Sequence, residues 1–311
     1  MIPLGDTANG TEHAALRFKG LDTWRSGEIL EALWSSQSRA VAACLPALPA
    51  LERAVDAAIE RLGVASGRLV YAGAGSSGMI AALDALDLGP TFNWPEDRTV
   101  IFLAGFAAGA FELERGPDPA AEDDAAGGRA RVRDAALRPA DVVLGVSASG
   151  GSAYTVAVVE EARRRGAMTI AVAGRADSAL GRAAEHAVVV STGAEVLAGS
   201  TRLAAGTAQK VLLNLFSTAV MIGLGFVFDN LMIDVRPANA KLRQRRTAIV
   251  ASIAGVDRTI AADALARHGD VKRAVLGIAG LPDGEIDEAL ASAGGNLRLA
   301  LGRIARARSD P

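Results

Sequence analysis

The sequence predicts an α/β fold in which a parallel β-sheet is covered by helices on both faces. Half of the 311 residues are hydrophobic but only 4% are aromatic, so the apolar mass is mostly Ala, Leu and Val. Such a composition suits helices packed on a buried sheet. Short apolar runs alternate with helical patterns. The strand-like runs are Arg68–Ala72, Thr99–Leu103, Asp141–Val146, Met168–Val172 and Ala187–Val190.

Helical periodicity indicates the segments that cover this sheet. Leucine, valine and isoleucine residues at helical spacing predict one long helix over Arg39–Leu62. Further helical patterns cover Tyr154–Arg165 and Ala179–Glu185. The segment Phe106–Ala140 differs because it is rich in Gly, Ala and charged residues, and we interpret Ala120–Leu137 within it as a helix behind a loop.

Three regions follow from these patterns. Residues 1–36 are interpreted as an N-terminal arm with one short helix near Ser26–Leu33, and residues 37–240 as the α/β domain. Residues 241–311 contain short helical segments and predict a small C-terminal helical domain. The glycines that separate these segments are Gly255, Gly269, Gly280, Gly294 and Gly295.

Composition and charge argue against several classes of function. The formal net charge is −2 and no long basic block is present, so we expect no nucleic-acid partner. Cys44 is the single cysteine, which excludes an internal disulfide, and with three histidines we expect no zinc site and no cofactor. The first fifteen residues contain no apolar leader, so a cytoplasmic protein is expected.

One uncharged stretch, Val211–Phe228, approaches the length of a membrane span. It contains Asn214 and Ser217, and it continues a helical pattern that includes Arg202 and Lys210. We therefore interpret it as a buried core helix, with membrane contact as the alternative, and we expect no membrane partner.

Two loops share a design that suits a phosphate group. In each, a buried strand is followed by a Gly/Ser cluster and then a helix: residues 73–78 include Ser76 and Ser77, and residues 147–152 include Ser147, Ser149 and Ser152. Such loops present backbone N–H groups and hydroxyls at a helix N-terminus, where the helix dipole favours an anion. Both loops could also be purely structural.

The first loop also fits the dinucleotide fingerprint G-x-G-x-x-G. A dinucleotide site needs an acidic residue at the end of the next strand, to bind the ribose hydroxyls. That strand contains Val100–Leu103 and continues into Ala104 and Gly105, without an acid. The sequence therefore favours a phosphate site over a dinucleotide site.

A third element runs from Glu195 to Lys210. It contains a carboxylate, the pair Ser200 and Thr201 where a helix is predicted to begin, and then Gln209 and Lys210. These side chains can line one pocket, and the helix N-terminus offers another anion-binding end. The alternative is a core helix with Ser200 or Thr201 as its N-cap.

Several motifs together resemble those of the N-acetylmuramic acid 6-phosphate etherases. They are Gly-Ala-Gly-Ser-Ser-Gly at 73–78, Leu-Asp-Ala at 83–85, Pro-Thr-Phe at 90–92, Ser-Ala-Ser-Gly at 147–150, Gly-Ser-Thr-Arg at 199–202, Ala-Gly-Thr-Ala-Gln-Lys at 205–210 and Asn-Leu-Met-Ile-Asp-Val at 230–235. The resemblance implies an SIS-type α/β domain, a small C-terminal helical domain and a homodimer with active sites near the subunit interface. It also implies a role in amino-sugar catabolism and peptidoglycan recycling.

The reaction implied by the resemblance is cleavage of the D-lactyl ether of N-acetylmuramic acid 6-phosphate, which yields N-acetylglucosamine 6-phosphate and D-lactate. By position, the family's two catalytic glutamates fall on Asp87 and Glu122. Each positioned acid or base is typically worth about 10²–10⁴-fold in rate. Both residues could instead be ordinary surface carboxylates. The residues assigned to the substrate and its phosphate are Ser76, Ser77, Ser147, Ser149, Ser152, Glu195, Ser200, Thr201 and Lys210.

The chain also departs from the family pattern. Asp87 stands where the family has glutamate, and Met79, Gly151 and Ala204 stand where it has basic residues. The N-terminal helix region reads Ser35–Ser38 instead of the family's Asn-x-Glu-Asp. Two alternatives to etherase activity therefore stay open. One is a sugar-phosphate aldose–ketose isomerase with Glu195 as its base, and the other is a sugar-phosphate sensor without turnover.

Overall fold

The computed structural model describes residues 10–11, 13–63, 66–106, 118–236 and 240–309. Residues 107–117 lie outside this set, and they include most of the loop predicted at the start of the Phe106–Ala140 segment. Residues 1–9 and 12 of the predicted N-terminal arm lie outside it as well. Among the described residues, the chain forms one five-stranded sheet, one two-stranded hairpin and twelve α-helices.

The five-stranded sheet confirms the predicted fold class. Its strands occur in the order β2-β1-β3-β4-β5, and every neighbouring pair is parallel. Each strand begins and ends within one residue of its predicted run. The strands are β1 (Leu69–Gly73), β2 (Thr99–Leu103), β3 (Val142–Ser147), β4 (Met168–Ala173) and β5 (His186–Val189).

Helices cover both faces of the sheet, as predicted. Successive strand residues point to opposite faces. On one face Val70 and Val143 pack with α4 (Ala125–Asp134), α5 (Ala153–Arg164) and α6 (Ala179–Ala183). On the other face Tyr71 points toward α3 (Gly75–Phe92) and α7 (Ala204–Gly223). All residues of β1, β3 and β4 are consequently buried.

The predicted continuous helix over Arg39–Leu62 is wrong. The helix α1 spans Ser26–Ala42, a 3-10 turn follows at Leu45–Ala47, and α2 spans Leu48–Leu62. Proline cannot donate a backbone hydrogen bond and is best tolerated in the first turn of a helix. Pro46 and Pro49 occupy such positions in the 3-10 turn and in α2. The regular spacing of the leucines concealed this break.

Two further helix boundaries differ from prediction for similar local reasons. The short helix predicted near Ser26–Leu33 continues to Ala42 as α1. The helix predicted over Ala120–Leu137 divides into a 3-10 turn, Pro119–Asp123, and α4. Asp124 separates the two, because its carboxylate accepts the N–H of Gly127 at 2.8 Å and caps α4.

The chain divides into two compact units. The first comprises the residues up to Leu86 together with Asp97–Ser217, and the second comprises Asp87–Glu96 with Thr218–Pro311. This division differs from the predicted boundary at residue 241. The helices α3 and α7 each begin in the first unit and end in the second.

The second unit contains the predicted helical bundle and a small hairpin. The hairpin strands are β6 (Val227–Phe228) and β7 (Leu231–Met232), and they pair in antiparallel fashion. Its own apolar core includes Val250, Val271 and Leu276. The helices are α8 (Ala240–Ala254), α9 (Arg258–His268), α10 (Val271–Ile278), α11 (Asp283–Ser292) and α12 (Leu297–Ser309).

The uncharged stretch Val211–Phe228 contributes a core helix, as interpreted from the sequence. Leu212, Leu213 and Phe216 of α7 are buried, although the helix ends at Gly223 rather than continuing to Phe228. In the described portion of the chain, none of the helices combines the length and the apolar character needed to cross a bilayer.

A buried ion pair holds the amino ends of β1 and β3 together. The Asp141 carboxylate is fully buried and accepts hydrogen bonds from Nε and Nη2 of Arg68 at 3.2 and 2.6 Å. The backbone N–H groups of Arg68 and Arg138 donate to it as well, at 3.0 and 2.8 Å. Burial alone would raise the pKa of Asp141, but these hydrogen bonds outweigh burial and lower the pKa.

We expect Asp141→Asn to lower the free energy of unfolding by about 3–5 kcal/mol, because it leaves the Arg68 guanidinium without its buried partner. Because the folded pKa of Asp141 is lowered, its contribution is fully present above the unfolded value of about 3.9 and is lost as the pH falls through the folded pKa. Urea unfolding at pH 7 and in acid measures both effects. The control Asp177→Asn removes an exposed partner of Arg175 and should change stability far less. Equal losses in the two variants would contradict the prediction.

Candidate active site

The strand order places the two Gly/Ser loops side by side. In a sheet of order 2-1-3-4-5, ligands bind at the carboxyl ends of the adjacent strands β1 and β3, where the chain connections leave toward opposite faces. The first loop follows β1 and the second follows β3, and Gly73 is in register with Val146. The two predicted phosphate loops therefore begin next to each other at this point of the sheet.

The first loop depends on two glycines that let α3 approach β1 closely. A Cβ added to Gly73 would lie 2.6 Å from the Cα of Gly78, and one added to Gly78 would lie 2.7 Å from the Gly73 carbonyl oxygen. A side chain at either position would push the first turn of α3 away from the strand. In that turn Ser76 is exposed, whereas Ser77 is buried.

The second loop uses two of its three serines to fix its own shape. The Ser147 hydroxyl accepts the N–H of Gly150 at 3.1 Å, and the Ser152 hydroxyl accepts the N–H of Thr155 at 3.4 Å as the N-cap of α5. Ser147 and Ser152 are both buried. Ser149 is exposed at the tip of the loop, where its hydroxyl accepts the N–H of Gly151 at 3.1 Å.

Glu122 lies beside this second loop. The Ser152 hydroxyl donates a hydrogen bond to the Glu122 carbonyl oxygen at 3.4 Å. Two neighbouring acids have local structural roles, since Asp118 accepts the N–H of Ala120 at 2.9 Å and Asp124 caps α4. Glu122 itself is exposed, and its backbone lies beside Ser152, the N-cap of α5.

The helix α3 carries a buried acid that sequence analysis did not assign to the site. Asp84 accepts hydrogen bonds from the Tyr71 hydroxyl at 2.9 Å and the Ser217 hydroxyl at 3.3 Å, and Lys210 Nζ lies 3.8 Å from its Oδ1. Burial, together with the negative charge and hydrogen bond of Asp84, raises the pKa of Tyr71. The motif Leu-Asp-Ala at 83–85 contained the signal for Asp84.

The predicted catalytic residue Asp87 is exposed and lies three residues beyond Asp84 on α3. Lys210, predicted to bind substrate, is one-third exposed and forms the ion pair with Asp84. Its ammonium therefore compensates the negative charge of a buried acid. The binding role of Lys210 and the catalytic role of Asp87 remain predictions.

The third element begins its helix later than predicted. The helix α7 starts at Ala204, and Ser200 and Thr201 lie in the turn that precedes it. The Thr201 carbonyl oxygen accepts the N–H of Gly206 at 2.8 Å. Neither Ser200 nor Thr201 is therefore the N-cap of α7, and their role in binding an anion remains a prediction.

Glu195 supplies the cap instead. Its two carboxylate oxygens accept the N–H groups of Ala204 and Ala205, each at 2.9 Å, and the residue is fully buried. The negative charge compensates the positive end of the α7 dipole. Glu195 thus has a structural role at the start of α7, and its assignment to substrate binding or proton transfer remains a prediction.

A cavity of about 130 Å³ opens beside Ser149. It lies at the carboxyl ends of β3, β4 and β5, and its walls also include Ala205 and Gln209 of α7. Ser149 is the single residue of the predicted binding set that lines it, so Ser76 and Thr201 do not share this particular cavity. Sequence analysis did not identify four further polar residues in its walls, Thr11, Arg175, Ser191 and Thr192.

Arg175, Ser191 and Thr192 were missed because they lie two or three residues after β4 and β5, where no glycine-rich motif marks a site. Gln209, by contrast, was named in the third element, and of the side chains predicted there to line one pocket it is the one that lines this cavity. For the residues that the structure describes, no group of three or more His, Cys, Asp or Glu side chains could hold a metal ion.

Comparison with known proteins gives a consistent result. A family model, the SIS domain, matches residues 108–219. An N-acetylmuramic acid 6-phosphate etherase from Rubrobacter xylanophilus is 41% identical over 91% of this chain and 92% of its own length. One from Deinococcus radiodurans is 40% identical over 94% and 95%, and one from Symbiobacterium thermophilum is 46% identical over 74% and 75%.

The different environments of Ser149 and Ser152 predict different consequences of mutation. Ser149→Ala should weaken sugar-phosphate binding while leaving the unfolding free energy nearly unchanged, since Ser149 is exposed. Ser152→Ala should lower the unfolding free energy by about 1 kcal/mol, because it removes the N-cap of α5. Calorimetric binding and urea unfolding of both variants provide the measurement. Loss of stability in Ser149→Ala with unchanged affinity would refute the assignment.

Proposed function

The chain belongs to the N-acetylmuramic acid 6-phosphate etherase family, and we propose that it cleaves the D-lactyl ether of N-acetylmuramic acid 6-phosphate. The products are N-acetylglucosamine 6-phosphate and D-lactate. The observation that carries this proposal is the identity of about 40% with etherases over more than nine-tenths of the chain. Two neighbouring Gly/Ser loops at the carboxyl edge of a parallel sheet support it, because they suit the phosphate of such a substrate.

The phosphate is held mainly by neutral donors. The loops contribute backbone N–H groups, the N-terminus of α5 and the exposed hydroxyls of Ser76 and Ser149. Dipoles and hydroxyls arranged in this way bind an anion without a cationic side chain. Ser147 and Ser152 hold the second loop in the shape that presents these donors.

The chemistry needs one base and one acid, and Asp87 and Glu122 are the candidates. Opening of the sugar ring creates an aldehyde that acidifies the proton on C2. A carboxylate removes this proton while a carboxylic acid protonates the departing ether oxygen, so D-lactate leaves with its hydroxyl group intact. Water then adds to the unsaturated intermediate at C3, and C2 regains a proton. The reaction requires no change of oxidation state in the protein.

A second candidate function is sensing of a sugar phosphate without turnover. The observation that favours it is that the phosphate loops are intact while Asp87 is one methylene shorter than the family's glutamate. A displacement of a catalytic group by about 1 Å can reduce the rate about 10²-fold. Met79, Gly151 and Ala204 also replace cationic residues, and Ala204 is fully buried. The isomerase alternative is less favoured, because its candidate base Glu195 caps α7.

We further propose that the protein acts as a cytoplasmic homodimer in the recycling of peptidoglycan sugars. Large apolar side chains on α1, α3 and α7 are exposed, as expected of a surface that a second copy covers. They are Leu30, Trp34, Leu83, Leu86 and Leu215, and Trp34 is 75% exposed. Sedimentation equilibrium of the intact chain tests the proposal, and a monomer at micromolar concentration would contradict it.

The catalytic proposal makes a direct prediction. The purified protein should release D-lactate from N-acetylmuramic acid 6-phosphate, and Asp87→Asn and Glu122→Gln should each reduce kcat about 10²–10⁴-fold, because each removes a positioned acid or base. Asp87→Glu restores the family's side chain and should preserve or raise activity.

The matched control is Asp123→Asn, which changes an exposed acid adjacent to Glu122. It should leave kcat nearly unchanged. Tight binding of sugar phosphates without any lactate release, in both wild type and Asp87→Glu, would favour the sensor function and refute the etherase proposal.

A further inference from the structure

The cavity beside Ser149 is lined by Gln209, whose side-chain amide oxygen has no hydrogen-bond partner among the described residues. Gln209 is 2% exposed, and its Oε1 atom is buried without a hydrogen-bond partner although the residue lines the cavity. A buried polar atom left without a partner destabilises a protein, so such atoms are rare in native structures. An amide oxygen accepts hydrogen bonds. Because the carboxamide group can rotate about its last side-chain bond, a ligand in the cavity could supply the missing N–H or O–H group to this oxygen.

The charge of the cavity favours a neutral occupant. Arg175 is the charged residue of its described wall, but Nε and Nη2 of Arg175 donate to the two carboxylate oxygens of Asp177 at 3.1 and 2.9 Å. This two-bond pairing matches the geometry of the guanidinium and the carboxylate and neutralises both. An anion in the cavity would therefore have to compete with Asp177 for the Arg175 guanidinium, whereas a neutral group would not.

The size of the cavity and its apolar wall further restrict the kind of group that can bind there. Four small apolar side chains contribute to the wall, from Ala148, Ala173, Val190 and Ala205. An engineered cavity of about 150 Å³ holds a benzene molecule. A cavity of about 130 Å³ can therefore hold a group of four non-hydrogen atoms with room for water. The occupant should combine a hydrogen-bond donor, a polar acceptor and a methyl group.

We propose that this cavity binds the 2-acetamido group of the amino-sugar phosphate and that Gln209 makes the protein selective for N-acetylated sugars. The proposal rests on the proposed function. The acetamido N–H donates to Gln209 Oε1, the methyl group packs against the four apolar side chains, and the carbonyl oxygen accepts from the Ser191 or Thr192 hydroxyl. Ser149 belongs to both the phosphate loop and the cavity wall, so one sugar can reach both sites.

The lactyl group suits this cavity less well. The lactyl carboxylate has no hydrogen-bond donor for Gln209 Oε1. A carboxylate also favours a cationic partner, and the guanidinium of Arg175 is already paired with Asp177. The cavity therefore binds the 2-acetamido group, which is present in both the substrate and the product sugar. Selectivity for the acetyl group can then be measured without any turnover.

The test compares two ligands that differ only in the acetyl group, N-acetylglucosamine 6-phosphate and glucosamine 6-phosphate, by calorimetric titration of the intact protein. Wild type should bind the acetylated ligand about 10- to 100-fold more tightly, because the ammonium group of glucosamine 6-phosphate would have to lose its hydration beside a neutral amide instead of a carboxylate. Gln209→Leu should reduce this preference to within about threefold, mainly by weakening the acetylated ligand. The control Gln244→Leu makes the same change at an exposed position on α8 and should keep the preference.

A second variant provides an independent result. Gln209→Glu places a carboxylate near the ammonium group of glucosamine 6-phosphate, so the preference should shift toward this ligand. Equal affinity of wild type for the two ligands would overturn the proposal. The proposal would also be overturned if Gln209→Leu reduced the affinity for both ligands by the same factor. Acetyl selectivity without lactate release would overturn the etherase function alone. Lactate release without acetyl selectivity would overturn the Gln209 subsite alone.

Discussion

The close approach of α3 to the end of β1 is the constraint on which the rest of the site depends. It requires hydrogen atoms instead of side chains at Gly73 and Gly78, because a Cβ at either position would collide with the backbone of the other. Once α3 is held there, its first turn exposes Ser76 at the sheet edge and its third turn directs Asp84 toward Tyr71. The loop, the buried acid and the exposed Asp87 therefore follow from one contact between backbone segments.

Polar groups inside the first unit are arranged in compensated sets. Asp84 is compensated by Tyr71, Ser217 and Lys210, and Asp141 by Arg68 and two backbone N–H groups. Glu195 is compensated by the N-terminus of α7. Removing one partner of such a set exposes the remaining group to the full cost of burial. Three buried side-chain atoms of the described residues have no hydrogen-bond partner, namely Arg131 Nε, Tyr154 Oη and Gln209 Oε1. Of these residues Gln209 is the one that lines the cavity, which makes it a candidate for ligand contact.

The sequence predicted the sheet more accurately than the helices. Strands that are covered on both faces are continuous apolar runs, and all five lie within one residue of the predicted positions. The break between α1 and α2 escaped prediction because the apolar spacing continues across Pro46 and Pro49. The two serine loops could be placed at the site, since parallel strands end at a common edge. The helix cap formed by Glu195 and the ion pair between Arg175 and Asp177 could not be predicted. Both depend on distances between side chains and other groups of the folded chain, which the hydrophobic pattern and the secondary-structure propensities do not specify.

The cap formed by Glu195 also limits how the protein can diversify. By tying the segment after β5 to the start of α7, it fixes both ends of the connection through residues 196–203. Insertions or deletions in that connection would pull the carboxylate from Ala204 and Ala205 and release the helix. A change of sugar preference, whether by natural drift or by engineering, would therefore be easier through exchange of side chains such as Ser191 and Thr192 than through loops of new length.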